Sequence, residues 1–102
     1  MKFIDKNYDP ETNEFSFETK LLDNKVLVWL DNSEYNKFTH EDLEDIIKSI
    51  FQEAFPIGYI QGSESVCEFN DGRKIYVYWS YENDHDPPLL LIDKIRELTE
   101  EE

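Results

Sequence analysis

Apolar and polar positions change period several times along the chain, and each change predicts a new element. The opening "MKFI" reads as a short edge strand, and the polar "DKNYDPETNE" after it, with Asp9-Pro10 and Asn13, reads as a turn. In "FSFETKL" the period becomes two. Phe15, Phe17, Thr19 and Leu21 share one side and Ser16, Glu18, Lys20 and Leu22 the other, the pattern of a half-buried strand. Asp23-Asn24 tolerates the positive φ angles of a tight hairpin, so the following run Val26, Leu27, Val28, Trp29, Leu30 is expected to pair antiparallel with it.

From Thr39 the period lengthens to that of a helix. Leu43, Ile46, Ile47, Ile50, Phe51 and Ala54 form one stripe, while Glu41, Glu44, Asp45, Lys48, Gln52 and Glu53 face away from it. Thr39 with Asp42 three residues on makes a capping box, and Pro56 and Gly58 end the segment. A second hairpin follows, "SVCEF" and "RKIYVYWSY" around Asp71-Gly72. Its second strand sets Ile75, Val77, Trp79 and Tyr81 against Lys74, Tyr76, Tyr78 and Ser80. Aromatic residues on both sides predict a central strand with one side on the helix and the other covered or used for contact.

The stretch "WSYENDHDPPLLLI" reads as a turn into a second helix. Asp86 suits its N-cap, Pro87 or Pro88 its first turn, and Leu91, Ile92, Ile95 and Leu98 recur at helical spacing, with Glu100, Glu101 and Glu102 fraying the end. The fold class expected is therefore α+β: an antiparallel sheet from two hairpins, in β-β-α-β-β-α order, packed on a long amphipathic helix.

Composition narrows the function. A chain of 102 residues with 39% hydrophobic content suffices for one core, so residues 1–102 are expected to form a single domain. Two Trp, six Tyr and seven Phe separate it from disordered acidic chains, which are poor in aromatics. The 24 acidic residues against 10 basic ones leave a net charge of −14, beyond the roughly 2 to 8 units that keep a small domain soluble. Such a charge repels nucleic acid and anionic lipid and attracts basic proteins. Cys67 is the single cysteine, set among neighbours suited to a buried strand. The chain shows neither the apolar run of a signal peptide nor the roughly 18 apolar residues of a membrane span, which points to the cytoplasm.

Catalytic and metal-binding patterns are weak. Asp84, His85 and Asp86 alternate sides in an extended chain and meet one ion only if the loop folds sharply. His40 is the other histidine, expected on a solvated helix surface. "DPETNEFSFETK" begins like a calcium loop, but Glu14 stands where glycine is needed and Lys20 where glutamate is needed. No nucleophile elbow surrounds a serine, and no phosphate loop is present. The reading is a binding protein, with no enzyme activity, cofactor or metal.

In size, acidity and the elements "HEDLEDIIKSIFQEAF" and "KIYVYWSYENDHD", the chain resembles small acidic immunity proteins of bacterial toxin systems. The resemblance implies a protein that neutralises a basic partner, a toxin or nuclease, by occupying its active-site cleft. On that reading Glu41, Glu44, Asp45, Glu82, Asp84 and Asp86 pair with partner Lys and Arg, and Tyr76, Tyr78 and Tyr81 are aromatic anchors. Three alternatives stand beside it: a phage-type inhibitor that mimics nucleic acid against a host defence nuclease, a metal-binding or enzymatic module around Asp84, His85 and Asp86, and a structural subunit with an interface at Tyr76 and Tyr78.

Overall fold

The computed structural model describes residues 3–21, 23–52 and 58–98. Leu22, Glu53, Ala54, Pro56 and residues 100–102, which carry some of the expectations above, lie outside them. In chain order the elements are β1 (Phe3–Asp9), β2 (Glu14–Leu21), β3 (Asn24–Asp31), α1 (Asn32–Tyr35), α2 (His40–Phe51), β4 (Tyr59–Glu68), β5 (Lys74–Glu82) and β6 (Leu89–Glu97). The six strands form one sheet in the order β1-β2-β3-β6-β5-β4.

This corrects the expected fold class. The segment read as a second helix is β6, which lies between the two hairpins, antiparallel to β5 and parallel to β3. The sheet is therefore mixed, and helix is the minor component. The cause of the misreading is local. Tyr78 pairs with Lys94 and Trp79 with Ile92, so Asp93 is an extra residue in the ladder. Such a bulge shifts the two-residue alternation by one position. Leu90, Ile92 and Ile95 all point into the core, and the spacing of two and then three mimics a helix. Asp86 and the prolines lead into a strand: the Asp86-Pro87 bond is cis, and the Pro88 carbonyl accepts from the Leu27 amide at 2.9 Å.

The N-terminal strand also runs further than "MKFI". Lys6 to Asp9 pair with Phe17 to Glu14, leaving the turn to Pro10 through Asn13, where Asn13 adopts φ +60°. The second hairpin turn lies where expected, and the first lies one residue earlier than Asp23-Asn24, because Asn24 already belongs to β3. Leu21 pairs with Asn24, with Asp23 at φ +65°. In the second, the Gly72 amide donates to the Phe69 carbonyl and Phe69 to Arg73, a type I turn closed by Gly72 at φ +93°.

One side of the sheet carries the core. Phe17, Val26, Val28, Leu30, Cys67, Ile75, Val77, Trp79, Tyr81, Leu90, Ile92 and Ile95 face Leu43, Ile46, Ile47 and Phe51 of α2. Each such side chain contributes about 1.5–3 kcal/mol by leaving water, so this layer carries most of the stability. Polar tips inside it are matched: the Trp79 indole N–H donates to Ser65 Oγ at 3.0 Å and the Tyr81 hydroxyl to Asn83 Oδ1 at 3.1 Å. Cys67 is buried, and burial raises its thiol pKa, as befits a core residue.

The capping box forms as its residues predict. Thr39 Oγ1 accepts from the Asp42 amide at 3.2 Å and Asp42 Oδ2 from the Thr39 amide at 3.4 Å. Replacing Thr39 by alanine is expected to cost about 1 kcal/mol. Urea unfolding checks it: the midpoint should fall with the slope unchanged.

Candidate protein-binding face

Among the described residues, α1 and α2 both pack on the core side of the sheet, and no helix packs on the other. Strand alternation decides what that open side displays. In β3, buried Val26, Val28 and Leu30 leave Leu27, Trp29 and Asp31 outward. In β5, buried Ile75, Val77, Trp79 and Tyr81 leave Tyr76, Tyr78, Ser80 and Glu82 outward, and β4 contributes Glu64, Val66 and Glu68. The strand register joins these into rows. Ser16, Trp29, Leu91 and Ser80 form one row, Lys94, Tyr78 and Glu64 the next, and Arg96, Tyr76 and Val66 a third.

Large apolar groups are left partly in water on this side: Trp29 at 37% exposure, Tyr78 at 39% and Val66 at 49%. The two tyrosines pack edge to face with ring centres 5.1 Å apart, and the Arg96 guanidinium lies 5.5 Å from the Tyr76 ring centre. Hydrogen bonding to Tyr76 and then Tyr78 holds the Glu64 carboxyl below its ordinary range. The same bond to Glu64 is the main cause that pushes the Tyr76 hydroxyl above its ordinary 10.0. The ionised carboxylate and the neutral phenol are the forms this contact favours, so it is complete between the ordinary carboxylate and phenol ranges, is lost as the pH rises through the raised Tyr76 value, and is lost again as the pH falls through the lowered Glu64 value. Followed by tyrosinate absorbance, Tyr35 and Tyr81 should ionise late through burial and Tyr76 through its contact with Glu64, and Glu64→Gln should bring one of the three late tyrosines back towards the ordinary range.

The structure divides the residues singled out from the sequence. Tyr76 and Tyr78 stand on the open side together with Glu82. Asp84 and Asp86 are exposed in the loop after it, where His85 Nε2 meets Glu82 Oε2 at 2.8 Å. Glu41, Glu44 and Asp45 belong to α2, on the opposite side of the sheet from Tyr76 and Tyr78. One flat surface cannot touch all of them. Tyr81 is fully buried against Phe51 and cannot anchor a partner, which corrects its assignment. His40 is more engaged than a solvated position implies, since its Nε2 lies 2.9 Å from the Tyr35 hydroxyl and 3.2 Å from Lys6 Nζ. Among the described residues no group of three or more His, Cys, Asp or Glu is arranged to hold a metal.

Trp29, Glu64 and Val66 were missed by the sequence reading. Their signal was in the alternation: Trp29 sits between Val28 and Leu30, on the phase that carries no other core residue of β3.

Among the described residues, hollows adjoin the sheet at two of its places. One, of about 260 Å³, is lined by Lys37, Phe38, Arg73, Ile75, Ile95 and Glu97. Its cations are engaged already, Lys37 with Glu34 at 3.3 Å and Arg73 with Asp71 at 2.8 Å and Asp42 at 3.4 Å. The other, of about 200 Å³, lies beside Trp29 between Glu14, Asp31 and Asp93. Comparison with protein-family models, with curated proteins and with solved structures gives no match.

Proposed function

We propose that this chain is a binding protein that neutralises a basic protein, in the manner of an immunity protein acting on a cognate toxin or nuclease. The observation that carries this reading is the helix-free side of the sheet, where Trp29, Tyr76, Tyr78 and Val66 are interleaved with the carboxylates of Glu64, Glu68 and Glu82. A partly exposed aromatic cluster bordered by these carboxylates, with Lys94 and Arg96 in the same rows, suits a partner whose apolar contacts are flanked by Lys and Arg placed to meet Glu64, Glu68 and Glu82, because Tyr and Trp make the strongest protein contacts. The net charge of −14 accelerates encounter with such a partner and opposes self-association and binding to nucleic acid.

The division of carboxylates between two sides narrows the assignment. On this reading Tyr76, Tyr78 and Glu82 make the contact, while Glu41, Glu44 and Asp45 contribute long-range attraction only. The test is capture of tagged protein from lysate of its source cell, eluted by stepped salt and identified by mass spectrometry. The expected result is a basic protein whose own activity falls when one equivalent of this chain is added. Recovery of no basic protein, or of one whose activity is untouched, would remove the proposal.

A further inference from the structure

The hollow beside Trp29 has a shape and a charge that select one kind of guest. It is lined by Trp29 and Leu91 of the open side, and its rim carries Glu14, Asp31 and Asp93. At about 200 Å³ it falls below the roughly 300–1,000 Å³ of sites for small-molecule ligands, and suits the end of one side chain.

Charge makes the guest cationic. Glu14 stands directly across the β2-β3 ladder from Asp31, and no lysine or arginine lines the hollow among the described residues. Asp31 is held in place as the N-cap of α1. Its Oδ1 accepts from the Ser33 amide and hydroxyl, and its Oδ2 receives no bond from the described residues. Asp93, the bulge residue of β6, is tied to the same side by the Ser80 hydroxyl at 3.4 Å. These carboxylates are not grouped as metal ligands are, whereas an exposed indole beside them matches a flat organic cation.

We infer that this hollow receives the guanidinium of an arginine from the basic partner, stacked against Trp29 and hydrogen-bonded to Glu14 and Asp93. Arginine fits better than lysine, because its guanidinium is planar, weakly hydrated and able to stack on an aromatic ring while donating to two carboxylates. The inference rests on the proposed binding role, and it names the side chain that the open face grips most strongly.

The test uses the whole chain, labelled with nitrogen-15, and a Gly-Arg-Gly peptide capped at both ends, followed through the two indole N–H signals. Trp29 should shift saturably, while Trp79, bonded to Ser65 inside the core, stays in place and reports that the fold is intact. The citrulline peptide, uncharged but of similar shape, should bind at least about tenfold more weakly, and Glu14→Gln with Asp93→Asn should weaken the arginine peptide by a similar factor. An unmoved Trp29 signal, or equal response to arginine and citrulline, would overturn the inference. If a basic partner is still captured in that case, the binding role stands without the hollow. If the hollow takes arginine but no basic partner is captured, the binding role fails and the site remains.

Discussion

Leu90→Pro is expected to abolish folding, while Leu90→Ala leaves a weakened but cooperative protein. Leu90 pairs with Val28 on one side and Tyr81 on the other, at the centre of the sheet, and its side chain is fully buried. Alanine removes apolar contacts, at a cost of about 2–5 kcal/mol. Proline also removes a backbone donor and fits no interior strand. Since small domains are stable by only about 5–15 kcal/mol, the combined loss leaves little or nothing of the native state. Near-ultraviolet circular dichroism and a urea titration read the outcome. In the helix expected from sequence, with Asp86 as N-cap, the amide of position 90 would make only the first bond of the helix, back to the Asp86 carbonyl, so proline there would cost a terminal bond and not one at the centre of a sheet. Equal stability of the two variants would contradict the assignment of β6.

Tyr81→Ala should destabilise the protein by about 3–5 kcal/mol, as for other large aromatic truncations in a core. Tyr81 meets Phe51 of α2 edge to face at 5.6 Å, so its loss separates the helix from the sheet as well as opening a cavity. Tyr81→Phe keeps the ring and loses only the hydrogen bond to Asn83, a cost of about 1 kcal/mol. Thermal unfolding resolves the two, at roughly 4–8 °C per kcal/mol for a domain of this size. A Tyr81→Ala protein that unfolds like wild type would mean that this residue does not hold α2 to the sheet.

What was legible in the sequence was local. The helix announced itself through Thr39, Asp42 and the stripe from Leu43 to Phe51, the second hairpin through Asp71-Gly72, and the first to within one residue through Asp23. These features depend on neighbours a few positions apart, which a linear reading can weigh. The short α1 was not read, and β4 begins at Tyr59, ahead of the expected "SVCEF", in a stretch that reads as a loop. Two further elements failed for physical reasons. Lys6, Asn7 and Asp9 belong to an edge strand, which needs no apolar alternation because little covers it. In β6, "LLLI" is a continuous apolar run, which periodicity cannot divide between a buried strand and a helix, and the Asp93 bulge then tipped the spacing towards helix.

The parallel pairing of β3 with β6 joins residues about sixty positions apart and has no local signature. It decides the site, because it brings Trp29 and Leu91 side by side next to the row that holds Tyr78. The outward phase of Tyr76 and Tyr78 was readable from β5 alone. So was the inward phase of Tyr81, which follows Ile75, Val77 and Trp79, and its choice as an anchor ignored that alternation. That Glu41, Glu44 and Asp45 lie across the sheet from the tyrosines was not readable, since only the packing of α2 determines it.

The central claim is that the helix-free side of the sheet, and not the acidic helix, holds a basic partner. The measurement that tests it most directly is salt-stepped capture with three tagged proteins: wild type, Trp29→Ala with Tyr78→Ala, and Glu41→Gln with Glu44→Gln and Asp45→Asn. All the altered side chains are at least partly exposed, and circular dichroism confirms that each variant is folded. The account predicts that one basic protein is retained by wild type and by the helix variant, eluting from the latter at lower salt, and is lost by the Trp29 and Tyr78 variant. Retention by that variant together with loss by the helix variant would contradict it.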